Sequence, residues 1–125
     1  MDLTLKTETF GQDDQSWLAS AHGTDTARTI TIDLTTFTPS THYPDGYLKS
    51  GYALKLISGN KYALFSAGDH DDEVIAGHLL TAVRVPVGAT KVAGALLWHG
   101  AVRAAKLPHT VNALGQATAK HISYV

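Results

Sequence analysis

The chain has 125 residues, the size of one domain, with 44% hydrophobic and 17% charged residues. Ten lysines and arginines against eleven aspartates and glutamates give a formal charge of -1, which argues against a nucleic-acid or anionic-membrane partner. Cysteine is absent, so disulfides, thiolate metal sites and cysteine nucleophiles are excluded. The first residues show no basic stretch followed by an apolar run, so we expect a soluble, intracellular protein without a signal peptide.

The first ten residues alternate between two faces, as in a β-strand. One face carries Leu3, Leu5, Thr7 and Thr9, and the segment ends at Phe10. Two leucines bury too little apolar surface to hold such a strand in place. The segment is therefore suited to pair with an exposed sheet edge, and the residues leave open whether that edge belongs to its own sheet or to another protein.

Residues 13–23 predict a short helical turn, with an aspartate cap at its start and Gly23 at its end. Trp17 and Leu18 are expected to anchor it. Residues 28–34 alternate cleanly and predict a strand. Residues 37–47 contain prolines and a glycine at turn positions and predict a loop.

The rest of the chain predicts short strands and one helix. Strands are expected at residues 52–57, 61–65, 74–85, 92–99, 101–104 and 122–125, with a hairpin turn at 58–60. Gly77 lies within the longest of them and indicates a bulge or a close backbone approach. Residues 110–120 predict a helix, weakened by Gly115. The predicted fold is mainly β with one short C-terminal helix: a small β-barrel-like or β-sandwich domain at 37–125, preceded by an arm and first strand region at 1–36.

The acidic run at residues 69–73, with His78 nearby, is the strongest candidate for a metal site, because carboxylates and imidazoles bind divalent ions. Consecutive residues point in different directions, so a solvated acidic loop is the favoured interpretation. The seven histidines are scattered without paired spacing, and most are expected to be loop or surface groups. Nucleophile and phosphate-loop motifs are absent as well. We therefore assign no catalytic residue, cofactor or metal ligand.

Several stretches nevertheless resemble the head decoration proteins of tailed phages. The resemblance is to the lambdoid head-decoration type, most of all to versions from phages of actinobacteria, and it extends over nearly the whole chain. It is carried by residues 14–24, 41–47, 50–51, 61–62 and 107–108. The most telling segment is 37–54, a Phe-Thr, then a proline–glycine turn, then a Ser-Gly before a strand.

The resemblance implies a non-enzymatic cement protein, made in the host cytoplasm and located on the outer surface of the virion capsid. Such proteins bind the expanded icosahedral shell as trimers and hold neighbouring major capsid subunits against the pressure of packaged DNA. The resemblance also implies that an N-terminal arm pairs with capsid strands. Here that arm carries Leu3, Leu5, Thr7, Thr9 and Phe10, together with the Trp17 segment. Partners are then the major capsid protein and further copies of this chain, and neither nucleic acid nor membrane.

Three other functions remain open from the residues. The first is another virion component, such as a tail or neck β domain. The second is a small metal-dependent hydrolase that uses residues 69–73 and His78. The third is a lectin-like surface module, which requires exposed aromatic side chains near acidic ones.

Overall fold

The computed structural model of the chain describes residues 15–65, 74–111 and 113–125. These residues are mainly β-structure, which confirms the predicted class at that level. The strands are β1 (Arg28–Asp33), β2 (Tyr47–Leu48), β3 (Ala53–Ser58), β4 (Lys61–Leu64), β5 (Gly77–Leu79), β6 (Val83–Arg84), β7 (Lys91–Leu97), β8 (Gly100–Val102) and β9 (Ile122–Tyr124). The helices are α1 (Pro39–His42) and α2 (Ala113–Thr118), with 3-10 turns at Thr24–Thr26, Leu34–Thr36 and Ala104–Lys106.

Five strands close into a barrel in the order β1-β4-β3-β5-β7. Strand β1 pairs antiparallel with β7 and parallel with β4. Its alternation turns Ile30 and Ile32 inward, where both are almost completely buried with Leu54, Leu79 and Leu96. Two small sheets flank the barrel: β2 with β6 antiparallel, and β8 with β9 parallel.

Glycines allow the barrel strands to approach each other closely. A side chain at Gly77 would collide with the backbone carbonyl of Leu97, and one at Gly94 would lie 2.8 Å from Ile32 Cδ1. Gly77 therefore requires a residue without a Cβ, because the obstacle is backbone, whereas at Gly94 the ends of the Ile32 and Leu79 side chains would have to shift. The close backbone approach predicted at Gly77 is therefore confirmed.

Two predicted elements differ from the structure. Residues 74–85 do not form one strand: β5 belongs to the barrel, whereas β6 pairs with β2 outside it. The helical turn predicted over 13–23 is absent from the described residues 15–23; Leu18 instead makes a bridge to Val102, and a 3-10 turn follows Gly23. Long-range pairing overrides local propensity in both places.

The predicted division at residue 36 also separates parts that share one core. Strand β1 lies on the arm side of that division, yet it pairs with β4 and β7 and fills the barrel with Ile30 and Ile32. Residues 28–33 therefore belong to the body of the protein. No helix among the described residues is long and apolar enough to cross a membrane.

Candidate functional site

The predicted arm residues fall largely outside the described part of the chain. Leu3, Leu5, Thr7, Thr9 and Phe10 lie in the segment 1–14 and have no structural description. Their predicted role in capsid binding stays a prediction. The described chain begins at Gln15, whose side-chain amide donates to the carbonyl oxygen of Leu80 at 2.7 Å. The arm therefore joins the body beside the end of β5.

Residues 15–19, which we call the arm root, are fixed to β8 by backbone contacts. The backbone N–H of Arg103 donates to the carbonyl of Trp17 at 2.6 Å, and that of Ala19 donates to the carbonyl of Ala101 at 3.0 Å. The Arg103 guanidinium also donates to the carbonyls of Ser16 and Leu18, at 3.3 and 2.7 Å. The arm root is therefore held in a defined position on the body.

Trp17 is an internal anchor in this structure. Its side chain is 1% exposed, and its indole N–H donates to the Ser50 hydroxyl at 3.1 Å. Gly51 has a φ of 101°, and a Cβ there would lie 2.8 Å from Pro108 and 3.0 Å from the Trp17 ring. From this position the Trp17 ring cannot touch a partner. Its predicted contact with a capsid would require the arm root to leave the body.

The six histidines of the described residues are not scattered in space. His42, His78 and His109 gather around Tyr52 and the arm root, and we call them the inner histidine cluster. The Tyr52 ring lies 5.4 Å from His42 and 5.0 Å from His109, between ring centroids. His78 lies 5.8 Å from the Trp17 ring and lowers the pKa of His109 through space.

His78 is completely buried, unlike the loop or surface position expected of most of the histidines. Its Nδ1 lies 2.8 Å from the carbonyl oxygen of Gly51, and its Nε2 lies 2.7 Å from the hydroxyl of Tyr124. A carbonyl can only accept, so Nδ1 carries the proton and Nε2 accepts from Tyr124. Burial lowers the pKa of His78 to about 4, with the Gly51 carbonyl opposing part of that shift. The ring is therefore neutral near pH 7.

His109 is the second histidine of the inner cluster whose pKa is strongly lowered. Burial, followed by the nearby His78 and His42, lowers the pKa of His109 to about 4. Neither ring nitrogen has a hydrogen-bond partner of good geometry in the described part of the chain. The backbone of Phe65 favours the charged ring, but it is the smallest of the four influences and its geometry falls short of a hydrogen bond. Burial also lowers the pKa of His42.

His22, His99 and His121 form a second group, the outer histidine cluster. The ring centroids of His22 and His99 are 4.6 Å apart, and those of His99 and His121 are 6.0 Å apart. Trp98 packs beside His99 and His121, and the Arg28 guanidinium lies 4.5 Å above its ring. His22 and His121 are exposed to solvent, whereas His99 is partly covered.

Gly23 and Gly100 bring the outer cluster together. A side chain at Gly23, whose φ is 83°, would collide with the carbonyl of His99. One at Gly100 would lie 2.8 Å from the carbonyl of His22. The two backbone segments thus meet without side chains between them. Sequence spacing could not reveal either cluster, because each draws its histidines from elements far apart in the chain.

The metal candidate does not assemble in the described residues. Residues 69–73 lie outside them. Both ring nitrogens of His78 are engaged by Gly51 and Tyr124, so His78 has no lone pair to offer an ion while those bonds hold. Within the described ranges, no three His, Cys, Asp or Glu side chains are grouped to hold a metal.

Charge is strongly divided along the chain. Nine of the ten lysines and arginines lie among the described residues, whereas eight of the eleven acidic residues lie in segments 1–14 and 66–73. The formal charge of -1 is therefore the balance of a basic body and two acidic segments. The near-neutral net charge of the chain therefore conceals a basic body.

An apolar groove lies away from both clusters. It has a volume of about 740 Å³ and is lined by residues that include Pro39, Tyr43, Pro86 and Val87. Val87, at the tip of the turn between β6 and β7, is fully exposed.

Comparisons with family models, with curated proteins and with solved structures find no significant match for this chain.

Proposed function

We propose that this chain is a phage capsid decoration protein. It binds the outer surface of the expanded icosahedral head, as trimers, and stabilises the shell against the pressure of packaged DNA. The body is a small β-barrel, and the segment before residue 15 is the capsid-binding arm. The proposal starts from the resemblance in sequence and draws support from where the resembling segments lie.

The observation that carries the proposal is the convergence of three of those segments. Trp17, Ser50-Gly51 and Pro108 come from stretches that are far apart in the chain. In the structure the Trp17 indole donates to Ser50, and Gly51 leaves space for both Trp17 and Pro108. Residues that maintain one shared contact are the kind a fold family would have in common. Their meeting therefore favours a common fold over a chance similarity of short motifs.

The arm root supplies the second support. An arm that folds on docking loses conformational entropy, and a fixed attachment point reduces the length of chain that must be ordered. The bonds from Arg103 and the burial of Trp17 fix that point at residues 15–19. Three arms on a trimer would add avidity to weak individual contacts.

The apolar strands do not by themselves argue for a trimer. The runs at residues 74–85 and 92–98 are apolar and poor in charge, as the core of a subunit interface is, but Leu79, Leu96 and Leu97 fill the interior of the body. Exposed apolar side chains occur instead at Leu56, which is 52% exposed, and at Ile57 beside it. The prediction of a trimer therefore depends on the resemblance in sequence, and light scattering of the protein, free and bound to capsids, tests it.

Co-sedimentation with undecorated expanded capsids tests the arm. We expect the double variant Leu3→Ser and Leu5→Ser to lose at least tenfold in shell affinity, because both leucines lie on the face predicted to bind. The matched control is Thr4→Ser with Lys6→Ser, which changes the opposite face. Circular dichroism should show that all forms remain folded.

Equal binding by both double variants would contradict a capsid-binding role for this face. Binding of the full chain should also weaken with salt if the basic body faces an acidic shell surface.

The tail or neck alternative predicts label at those structures in electron micrographs of immunogold-labelled virions. The hydrolase alternative is weakened because His78 is already bonded to Gly51 and Tyr124.

A further inference from the structure

One buried ring connects the barrel to both ends of the described chain. His78 lies in β5, a barrel strand, and bonds to Tyr124 in β9 near the C-terminus. Its ring also packs against Trp17 in the arm root. Its other nitrogen holds the Gly51 carbonyl, next to the Ser50 hydroxyl that binds the Trp17 indole. The two end segments therefore both contact the barrel at His78, beside the apolar cluster that Trp17 and Ile122 share with Leu97.

We propose that His78 is a proton-sensitive latch, which holds β9 and the arm root against the barrel while it is neutral and releases them when it is protonated. This inference goes beyond the proposed function and does not depend on it, because it concerns the free protein. Its observable consequence is a local opening at mildly acid pH, before the barrel unfolds.

The physical reason is the cost of a charge in this site. Both ring nitrogens could still donate after protonation, one to Gly51 and one to the Tyr124 oxygen, so hydrogen bonding alone would survive. The charge, however, would be buried, and none of the carboxylates in the described part of the chain contacts the ring. The titratable groups that face it are Tyr124, from β9, and His109, which follows the third 3-10 turn. Tyr124 is neutral because burial raises its pKa, and a charged His109 would only add repulsion.

The segments that His78 holds, β9 and the arm root, lie outside the barrel and can move away while the barrel stays folded. Strand β9 has three residues and pairs with β8 in a sheet separate from the barrel. The barrel strands, in contrast, are paired on both sides within a closed ring. Short elements with few partners open at lower free energy than the core. Displacing β9 would bring water to His78 while leaving the barrel intact.

Trp17 reports on this opening directly. The chain has two tryptophans, so Trp98→Phe leaves Trp17 as the single tryptophan, whose emission can be excited selectively over that of the tyrosines. Between pH 7.5 and 3.5 we expect Trp17 emission to shift to longer wavelength, as the indole becomes exposed to water. Far-UV circular dichroism, which follows the barrel, should change at a pH lower by about one unit. A Trp17 signal that changes only together with the barrel signal would overturn the latch.

His78→Gln in the Trp98→Phe background removes the titrating group and keeps an acceptor for the Tyr124 hydroxyl. We expect the early Trp17 transition to disappear in this variant. Persistence of the early transition in His78→Gln would overturn the proposal. A transition that His109→Gln abolishes and His78→Gln leaves in place would also overturn it. The control His121→Gln, in the outer cluster, should leave the transition in place.

Tyr124→Phe keeps the proposal testable if His78→Gln does not fold. The variant preserves the ring and removes the oxygen that would accept a hydrogen bond from the protonated imidazole. Its loss makes the charge costlier in the closed state and also removes the bond that ties Tyr124 to the neutral ring, so both effects favour opening. The early transition should then move to higher pH by about half a unit or more. An unchanged or lower midpoint would count against the latch.

Discussion

The inner and outer histidine clusters place the same residue type in opposite surroundings. In the inner cluster, His78 is fully buried and bonded through both nitrogens, and its pKa is lowered to about 4. In the outer cluster, His22 and His121 are exposed beside Trp98 and Arg28. The inner rings are buried packing groups, whereas His22 and His121 of the outer cluster lie at the surface. A histidine makes folding depend on pH where burial disfavours its charged form.

The largest expected difference between the clusters is in acid stability. The pKa values of His78 and His109 are depressed from about 6.5 in the unfolded chain to about 4. Their contribution is therefore complete above pH 6.5 and is lost as the pH falls toward 4. By pH 4 the free energy of unfolding should fall by roughly 3 kcal/mol for each ring.

Urea denaturation at pH 7, 5.5 and 4.5 measures this loss. The control variant His22→Gln with His121→Gln removes two exposed rings and should leave the loss at the inner cluster in place. A stability that is constant over this range would show that the inner rings are not buried as described. A pH dependence abolished by the outer variant would reverse the roles of the clusters.

The next largest difference is between the two tryptophans. Trp17→Ala removes a side chain that is 1% exposed and should cost about 3–5 kcal/mol. Trp98→Ala removes a partly exposed ring with one hydrogen bond to Thr26 and should cost about 1–2 kcal/mol. Thermal or urea unfolding at pH 7.5 gives both values. Equal losses would contradict the assignment of Trp17 as the internal anchor.

The smallest expected effect is at Arg28 in the outer cluster. Its guanidinium lies 4.5 Å over the Trp98 ring, at an exposed position. Arg28→Ala should therefore lower the free energy of unfolding by under about 1 kcal/mol. Arg28→Lys, which retains a cation, is the matched control. A loss as large as that of Trp17→Ala would mean that the outer cluster is a second structural anchor.

The strands with clear local signals were predictable from the sequence. Alternation at Ile30 and Ile32 predicted β1, and the glycine at residue 59 predicted the hairpin between β3 and β4. These signals are local, since they depend on period two and on turn residues. The structure of the arm root could not be predicted from the sequence, because the hydrogen bond from Arg103 to Trp17 joins residues 86 positions apart. No local pattern records such a pairing.

The inner cluster shows the same limit for the candidate site. Neither the spacing of His42, His78 and His109 nor their neighbours in the chain predicted a shared environment. The position of His78 in an apolar strand was the one signal available, and its two bonds could be seen only in three dimensions. Likewise, the charge of -1 concealed a basic body, because acidic residues concentrate in segments 1–14 and 66–73.

The proposed function is tested most directly by electron cryomicroscopy of expanded, undecorated heads saturated with the full chain. The proposal predicts added density on the outer surface at the three-fold and quasi-three-fold positions, with three copies of the barrel at each and an arm from each copy reaching the shell. Heads without added density, or density confined to the neck or tail, would contradict it.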